Sequence, residues 1–162
     1  LLAKTRLLTL VGAGGIGKTR LSLQLAADAM EDFPDGIWFV ELAPLTEGER
    51  VAQAVASALG VREETGRPVG EALLRHLKHR RLLIILDNCE HLASACAQFA
   101  RQLLEAAPQL KLIASSREHL RTAGERVYIV PPLSLPNGNP VFMERGGSLS
   151  RERPEQEFAR PR

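Results

Sequence analysis

Gly12-Ala13-Gly14-Gly15-Ile16-Gly17-Lys18-Thr19 decides the reading of this chain. The apolar run Leu7-Leu8-Thr9-Leu10-Val11 precedes it, and Arg20-Leu21-Ser22-Leu23-Gln24-Leu25 follows without a break. The pattern is G-x-x-x-x-G-K-[ST], and a strand before it with a helix after it is the context that pattern requires. Glycine lets backbone N–H groups turn inward and meet phosphate oxygens with no Cβ in the way. A helix beginning at Lys18 adds its positive dipole end to the same anion site. In that arrangement Gly12, Gly14, Gly15, Ile16, Gly17 and Arg20 surround the phosphates and Lys18 reaches their β and γ oxygens. The Thr19 hydroxyl then completes a Mg²⁺ shell. An ordinary glycine-rich turn is the plain alternative.

Outward from the loop, strands and helices alternate. A strand is expected over 5–11 and a helix over about 18–30, ended by the turn Phe33-Pro34-Asp35-Gly36. Ile37–Leu42 reads as the second strand. Thr46-Glu47-Gly48-Glu49 has capping-box spacing, with Val51, Ala54, Val55, Ala58 and Leu59 at helical period and Gly60 as a stop. Pro68 suits the first turn of a further helix with Val69, Ala72, Leu73, His76 and Leu77 on one face. Leu82–Leu86 is apolar throughout, as a strand buried on both faces should be. Residues 91–107 carry one stripe of Leu92, Ala95, Cys96, Phe99, Leu103 and Ala107, broken by Pro108. Lys111–Ser116 and Val127–Val130 complete the strands. Such alternation implies βαβ crossovers and a mainly parallel, five-stranded sheet with helices on both faces.

The apolar strand ends in Asp87, where a carboxylate emerges at the C-terminal edge of a sheet and can hold Mg²⁺ together with Thr19. The plain reading of that residue is a helix N-cap. Hydrolysis also needs a group to orient or deprotonate water. The position after Asp87 is Asn88, so Glu90 is the nearest candidate, and its other reading is a charge favouring the following helix. Slow hydrolysis is the expectation. Arg117, at the end of the fourth strand, could meet a γ-phosphate, because guanidinium donors match phosphate oxygens; a solvated loop arginine is its plain reading. Cys89, His91 and Cys96 are close in sequence, but Cys96 lies on the apolar stripe and no fourth ligand suggests itself.

Composition narrows the partners. The chain has 162 residues, enough for one α/β core, with 44% hydrophobic and 25% charged residues. A net charge of +2 does not argue for nucleic acid or a membrane surface. Two cysteines make no disulfide framework, no apolar stretch approaches a membrane span, and no signal-peptide pattern opens the chain. A cytoplasmic protein is expected. The chain starts at Leu1 rather than methionine, so a fragment or excised domain is expected as well. Residues 137–162 change character, with five arginines against four glutamates and few apolar residues. They read as a flexible or truncated tail rather than a basic arm.

Several segments together resemble one family. They are Gly12–Thr19, Leu83-Ile84-Ile85-Leu86-Asp87-Asn88-Cys89-Glu90-His91-Leu92, Ala114-Ser115-Ser116-Arg117-Glu118-His119-Leu120, Gly124-Glu125-Arg126-Val127 and Pro131-Pro132-Leu133-Ser134-Leu135-Pro136. The chain resembles, over about 1–136, the NB-ARC-like P-loop ATPase domain of bacterial STAND-class regulators, including large LuxR-type and AfsR-type transcriptional regulators. That resemblance implies a three-layer, AAA-like P-loop NTPase fold of the ASCE type, with the strand bearing Arg117 between the strands bearing the glycine loop and Asp87. It implies ATP, ADP and Mg²⁺ as ligands, Arg117 as a γ-phosphate sensor, and a switch closed by ADP and opened by ATP with a signal. The Asp87-Asn88 pair resembles the bacterial subgroup.

Two family features differ. An upstream Gly-Arg-Glu segment that contributes to the adenine pocket does not appear. Downstream, Phe142-Met143-Glu144-Arg145 resembles the start of the next helical subdomain, but Gly146-Gly147 breaks it. Self-association and DNA binding would then belong to a longer parent, with no direct nucleic-acid contact by this segment. Two other functions stay open: a truncated, non-catalytic remnant, and a small-molecule kinase, against which counts the lack of an evident lid or acceptor-binding arginine cluster.

Overall fold

The computed structural model describes residues 2–62, 66–134, 140–143 and 149–150. Five strands form one sheet: β1 (Leu7–Val11), β2 (Ile37–Glu41), β3 (Leu83–Asp87), β4 (Lys111–Ser116) and β5 (Glu125–Ile129). Their order is β2-β3-β4-β1-β5, and each neighbouring pair is parallel. The strand bearing Arg117 thus lies between the glycine-loop strand and the Asp87 strand, as the resemblance implied. The helices are α1 (Lys18–Asp28), α2 (Arg50–Ala58), α3 (Val69–Leu77) and α4 (Ala93–Ala106).

The pleat explains the layering. Successive strand residues point to opposite faces, so the apolar run of β3 divides between two cores. Ile84 and Leu86 join Leu112 and Ala114 beneath α2, α3 and α4, where Val55, Leu73, Leu77, Phe99 and Leu103 pack. Leu83 and Ile85 join Leu8, Leu10 and Ile113 beneath α1, against Ala26 and Phe33. All five β3 residues are buried, and each such leucine or isoleucine contributes about 2 kcal/mol relative to exposure. The first face carries three helices and the larger core.

Local differences from the sequence reading have physical reasons. The capping box at Thr46–Glu49 does not form. Helix α2 starts at Arg50, and its first amides are satisfied by backbone turns, with Arg50 and Val51 N–H donating to the carbonyls of Glu47 and Gly48. This segment packs so closely on α4 that a Cβ on Gly48 would lie 2.6 Å from that of Ala95. Gly60 ends α2 as expected, at φ +69°, with Val61 N–H returning to the Ala56 carbonyl. The stripe expected over 91–107 is split, because a 3-10 turn over Cys89–Leu92 precedes α4. β5 begins two residues earlier than expected, since the pairing with β1 starts at Glu125 opposite Leu7.

Beyond β5, short strands β6 (Leu133–Ser134), β7 (Pro140–Met143) and β8 (Leu149–Ser150) pair antiparallel in a second sheet. Phe142 and Met143, likened above to a helix start, lie in β7, which pairs on both sides. The remainder of the tail expected over 137–162 lies outside the described residues. No described helix is long and apolar enough to cross a membrane.

Candidate functional site

Parallel strands send all their carboxyl ends to one edge, and three of the quoted segments meet there. β1 runs into the glycine loop, β3 ends at Asp87, and β4 delivers Ser115, Ser116 and then Arg117. The loop is tied to this edge by Gly12 N–H donating to the Ser116 carbonyl at 3.3 Å, while Leu21 N–H donates to the Gly17 carbonyl at 2.9 Å. Gly15 and Gly17 have φ of 76° and 94°, the left-handed region where glycine alone is unstrained. Nothing lies within 4 Å of where a Gly17 side chain would begin. Gly12 is tighter, since a Cβ there would come within 3.1 Å of Ile16 Cγ2. Arg20 is exposed in the first turn of α1.

Lys18 opens α1 and is 8% exposed. Its Nζ donates to the Gly12 and Ala13 carbonyls, both at 2.9 Å, and so spans the inside of the loop. Burial lowers the Lys18 ammonium below its ordinary value of 10.5; Glu90 opposes that shift, Arg117 adds to it and Asp87 opposes it. A buried cation ringed by these charges marks the centre of the site.

Thr19 and Asp87 meet across 68 residues of chain. The Thr19 hydroxyl lies 2.9 Å from each Asp87 carboxylate oxygen. The Ser115 hydroxyl of β4 also donates to Asp87 Oδ1, and the Asn88 N–H donates back to the Ser115 oxygen at 2.9 Å. Asp87 is 8% exposed, and these hydroxyls hold its carboxylate facing the loop.

Glu90 and Arg117 also meet. Arg117 Nε is 3.2 Å from Glu90 Oε1. Arg117 Nη2 lies 3.5 Å from where a Gly14 side chain would begin, so the guanidinium rests against the loop. Asn88 is left-handed, with φ 69° and ψ 50°, a region that asparagine tolerates better than most residues. With its amide nitrogen turned toward Glu90, it donates to Oε1 at 3.0 Å.

Other sequence candidates lie elsewhere. Cys89 and Cys96 are both free and buried in the core. The neighbouring Cys96 thiol and burial push the Cys89 thiol well up, and its Sγ donates to the Leu86 carbonyl at 3.4 Å. The His91 ring nitrogen Nε2 is 2.8 Å from the Leu45 carbonyl. Among the described residues no group of three or more His, Cys, Asp or Glu side chains gathers as a metal site would need.

The sequence reading brought Ser115 forward only as part of a motif. Its signal was a small hydroxyl in an otherwise apolar buried strand, one place before the end. Ser22, buried in the first turns of α1, donates its hydroxyl to the Thr19 carbonyl at 2.7 Å, and its signal is a hydroxyl between two leucines of the helix.

Comparison with known proteins bears on the family and the fold. Residues 3–122 match the family model described as an AAA domain. A putative HTH-type transcriptional regulator of Mycobacterium bovis is 47% identical over 135 residues, 83% of this chain and 15% of that protein. The regulatory protein AfsR of Streptomyces griseus is 35% identical over 114 residues, 65% of this chain and 11% of that protein. The chain therefore spans a small part of these relatives. Among solved structures, Cdc6p from Pyrobaculum aerophilum superposes with a TM-score of 0.61 at 15% identity, covering 79% of this chain and 39% of that one. A STAND protein with a tetratricopeptide repeat sensor from Pyrococcus horikoshii gives a TM-score of 0.52 at 16% identity, covering 80% and 21%. At these identities the two structures speak for the fold alone, a P-loop NTPase sheet. By its match over most of its length, the chain belongs to the AAA domain family.

Proposed function

We propose that this chain is the ATP- and ADP-binding domain of a STAND-type signalling or transcriptional regulator, an NB-ARC-like nucleotide switch that depends on Mg²⁺ and hydrolyses ATP slowly. The observation that carries this reading is the meeting of Thr19 with both oxygens of Asp87 at 2.9 Å, beside a loop whose interior is spanned by Lys18. The residues fit the ligands. A hydroxyl and a carboxylate are hard oxygen donors of the kind Mg²⁺ takes, and the open, left-handed glycines leave room for phosphate against backbone N–H groups. Mg²⁺, when bound, neutralises charge on the β and γ oxygens.

The chain's own residues supply the rest. Lys18 holds two neutral carbonyls, and a phosphate oxygen offers its ammonium an ionised partner in their place. Thr19 and Ser115 keep the Asp87 carboxylate aimed at the loop. Slow hydrolysis follows from Asn88, an amide that cannot take a proton from water, and from Glu90, whose carboxylate is engaged by Arg117. The regulator class is supported by the names of the relatives, and a reducing cytoplasm by two free, buried thiols. Fluorescent ADP and ATP binding with Mg²⁺ tests the reading. Wild type should bind both, and Lys18→Ala should bind about 100-fold more weakly, since charged hydrogen bonds contribute roughly 1.5–3 kcal/mol each. Equal weak signal from both proteins contradicts it.

A further inference from the structure

The geometry points to Glu90 as a positioning residue that sets the preference between ADP and ATP. It holds the Arg117 guanidinium over the glycine loop, so a ligand with a γ-phosphate has to take Arg117 from Glu90, whereas ADP leaves the pair intact. This inference rests on the nucleotide reading above and goes beyond it, because it gives Glu90 a role other than that of a hydrolytic base.

One guanidinium serves two neighbours. Its Nε edge is paired with Glu90 at 3.2 Å, and its Nη2 lies against Gly14 of the loop. Nε and Nη2 share one edge of the planar fork, so a phosphate over Gly14 that takes both donors in bidentate fashion removes Nε from Glu90. The Arg117 side chain is 58% exposed and free to swing, whereas that of Glu90 is 19% exposed and held from behind.

What holds Glu90 is the turn after Asp87. Asn88 takes the left-handed conformation, its N–H is fixed to Ser115 on β4, and its amide reaches Glu90 Oε1 at 3.0 Å. The turn thereby places a second carboxylate at the rim of an anion site. Arg117 is the cation for which the Glu90 carboxylate and a γ-phosphate compete. ADP brings no γ-phosphate into that competition.

The test is the ratio of ATP-analogue to ADP affinity, measured calorimetrically with Mg²⁺ on the whole chain. A non-hydrolysable ATP analogue serves as the probe. Glu90→Gln, Arg117→Ala and the double variant are compared with wild type. Glu90→Gln should raise the ratio by about threefold to fivefold, the upper range of a partly exposed ion pair. In the Arg117→Ala background the same substitution should leave the ratio within about twofold, since the effect acts through that arginine. Asn88→Gly keeps the positive φ and removes the amide, and it should shift the ratio in the same direction by less. It also carries the comparison should Glu90→Gln not fold.

An unchanged ratio in Glu90→Gln overturns the inference, and so does a rise that persists without Arg117. Loss of phosphate release with an unchanged ratio overturns it in favour of a catalytic base. Wild type that binds neither nucleotide overturns the nucleotide reading, and this inference with it. Wild type that binds both, with no change in ratio among the variants, overturns this inference alone.

Discussion

The two ends of the parallel sheet each place a cation on backbone carbonyls, yet the two cations differ in what surrounds them. At the amino end, Arg6 donates to the carbonyls of Leu104 and Ala107 at 2.7 and 2.6 Å and to that of Leu110 at 3.3 Å. Those carbonyls belong to the last turn of α4 and the segment leading into β4, which have no further helical donors. The arginine therefore joins β1 to the end of a helix about 100 residues away in sequence and favours the negative end of its dipole. At the carboxyl end, Lys18 donates to Gly12 and Ala13, carbonyls of its own loop, beside open space and a carboxylate pair. Arg6 gathers three backbone carbonyls, of which that of Ala107 also accepts from Leu110 N–H. Lys18 occupies a position from which an anion can take it. On the proposed function, like chemistry serves structure at one end and exchange at the other.

Substitutions at the two ends should separate these roles. The largest effect is expected for Lys18→Ala, which should lower nucleotide affinity by about 100-fold in a fluorescence titration while leaving thermal stability close to wild type. Arg6→Ala should do the reverse. Three carbonyls lose a charged donor, and a urea titration should show a loss of about 2 kcal/mol with nucleotide affinity within twofold of wild type. Loss of binding in Arg6→Ala at temperatures where it stays folded would erase the distinction.

Asp87→Asn sharpens the comparison within the carboxyl end. It keeps the shape and removes the charge, so the gain in ATP affinity on adding Mg²⁺ should fall by about tenfold while metal-free binding changes little. A titration with and without chelator reads this directly. A retained Mg²⁺ dependence would remove Asp87 from the metal reading.

The smallest effect is a pH dependence. Burial lowers the Lys18 ammonium, and a bound phosphate favours the charged form, so binding raises it again. Affinity should therefore be flat near neutrality and fall as pH rises through the Lys18 value of the free protein, which lies below 10.5. For stability the sign is opposite. The unfolded chain holds the Lys18 proton more tightly, so this group favours folding progressively as pH rises between the lowered value and 10.5. Lys18→Arg should flatten the binding profile in that window, because its guanidinium stays charged.

The carboxyl end was far more legible in the sequence than the amino end. Lys18, Thr19, Asp87 and Arg117 belong to short patterns in which spacing alone brings chemistry together, and apolar strands ending in polar residues identify their shared edge. Arg6 gave no such signal, because its partners are carbonyls whose availability depends on where α4 ends. Ser115 was hidden because a hydroxyl in a buried strand looks like an imperfection until Asp87 is seen beside it. The order of β4 between β1 and β3 followed from family resemblance, since alternation of strands and helices does not set sheet order. The capping box misled because close packing of Gly48 on Ala95 left the turn to backbone bonds. The Glu90–Arg117 pair required the left-handed Asn88, a conformation that residue type permits but does not announce.

Thermal unfolding with and without MgADP, on wild type, Arg6→Ala and Lys18→Ala, tests the division between the two ends most directly. At a nucleotide concentration about 100 times Kd, binding adds about 2.7 kcal/mol, which for a domain of this size is a rise of roughly 5–10 °C in Tm. Wild type and Arg6→Ala should rise by that same increment from different starting points, and Lys18→Ala, binding about 100-fold more weakly, should rise by only about 1 °C. A rise in Lys18→Ala equal to that of wild type, or none in any of the three, would contradict the account.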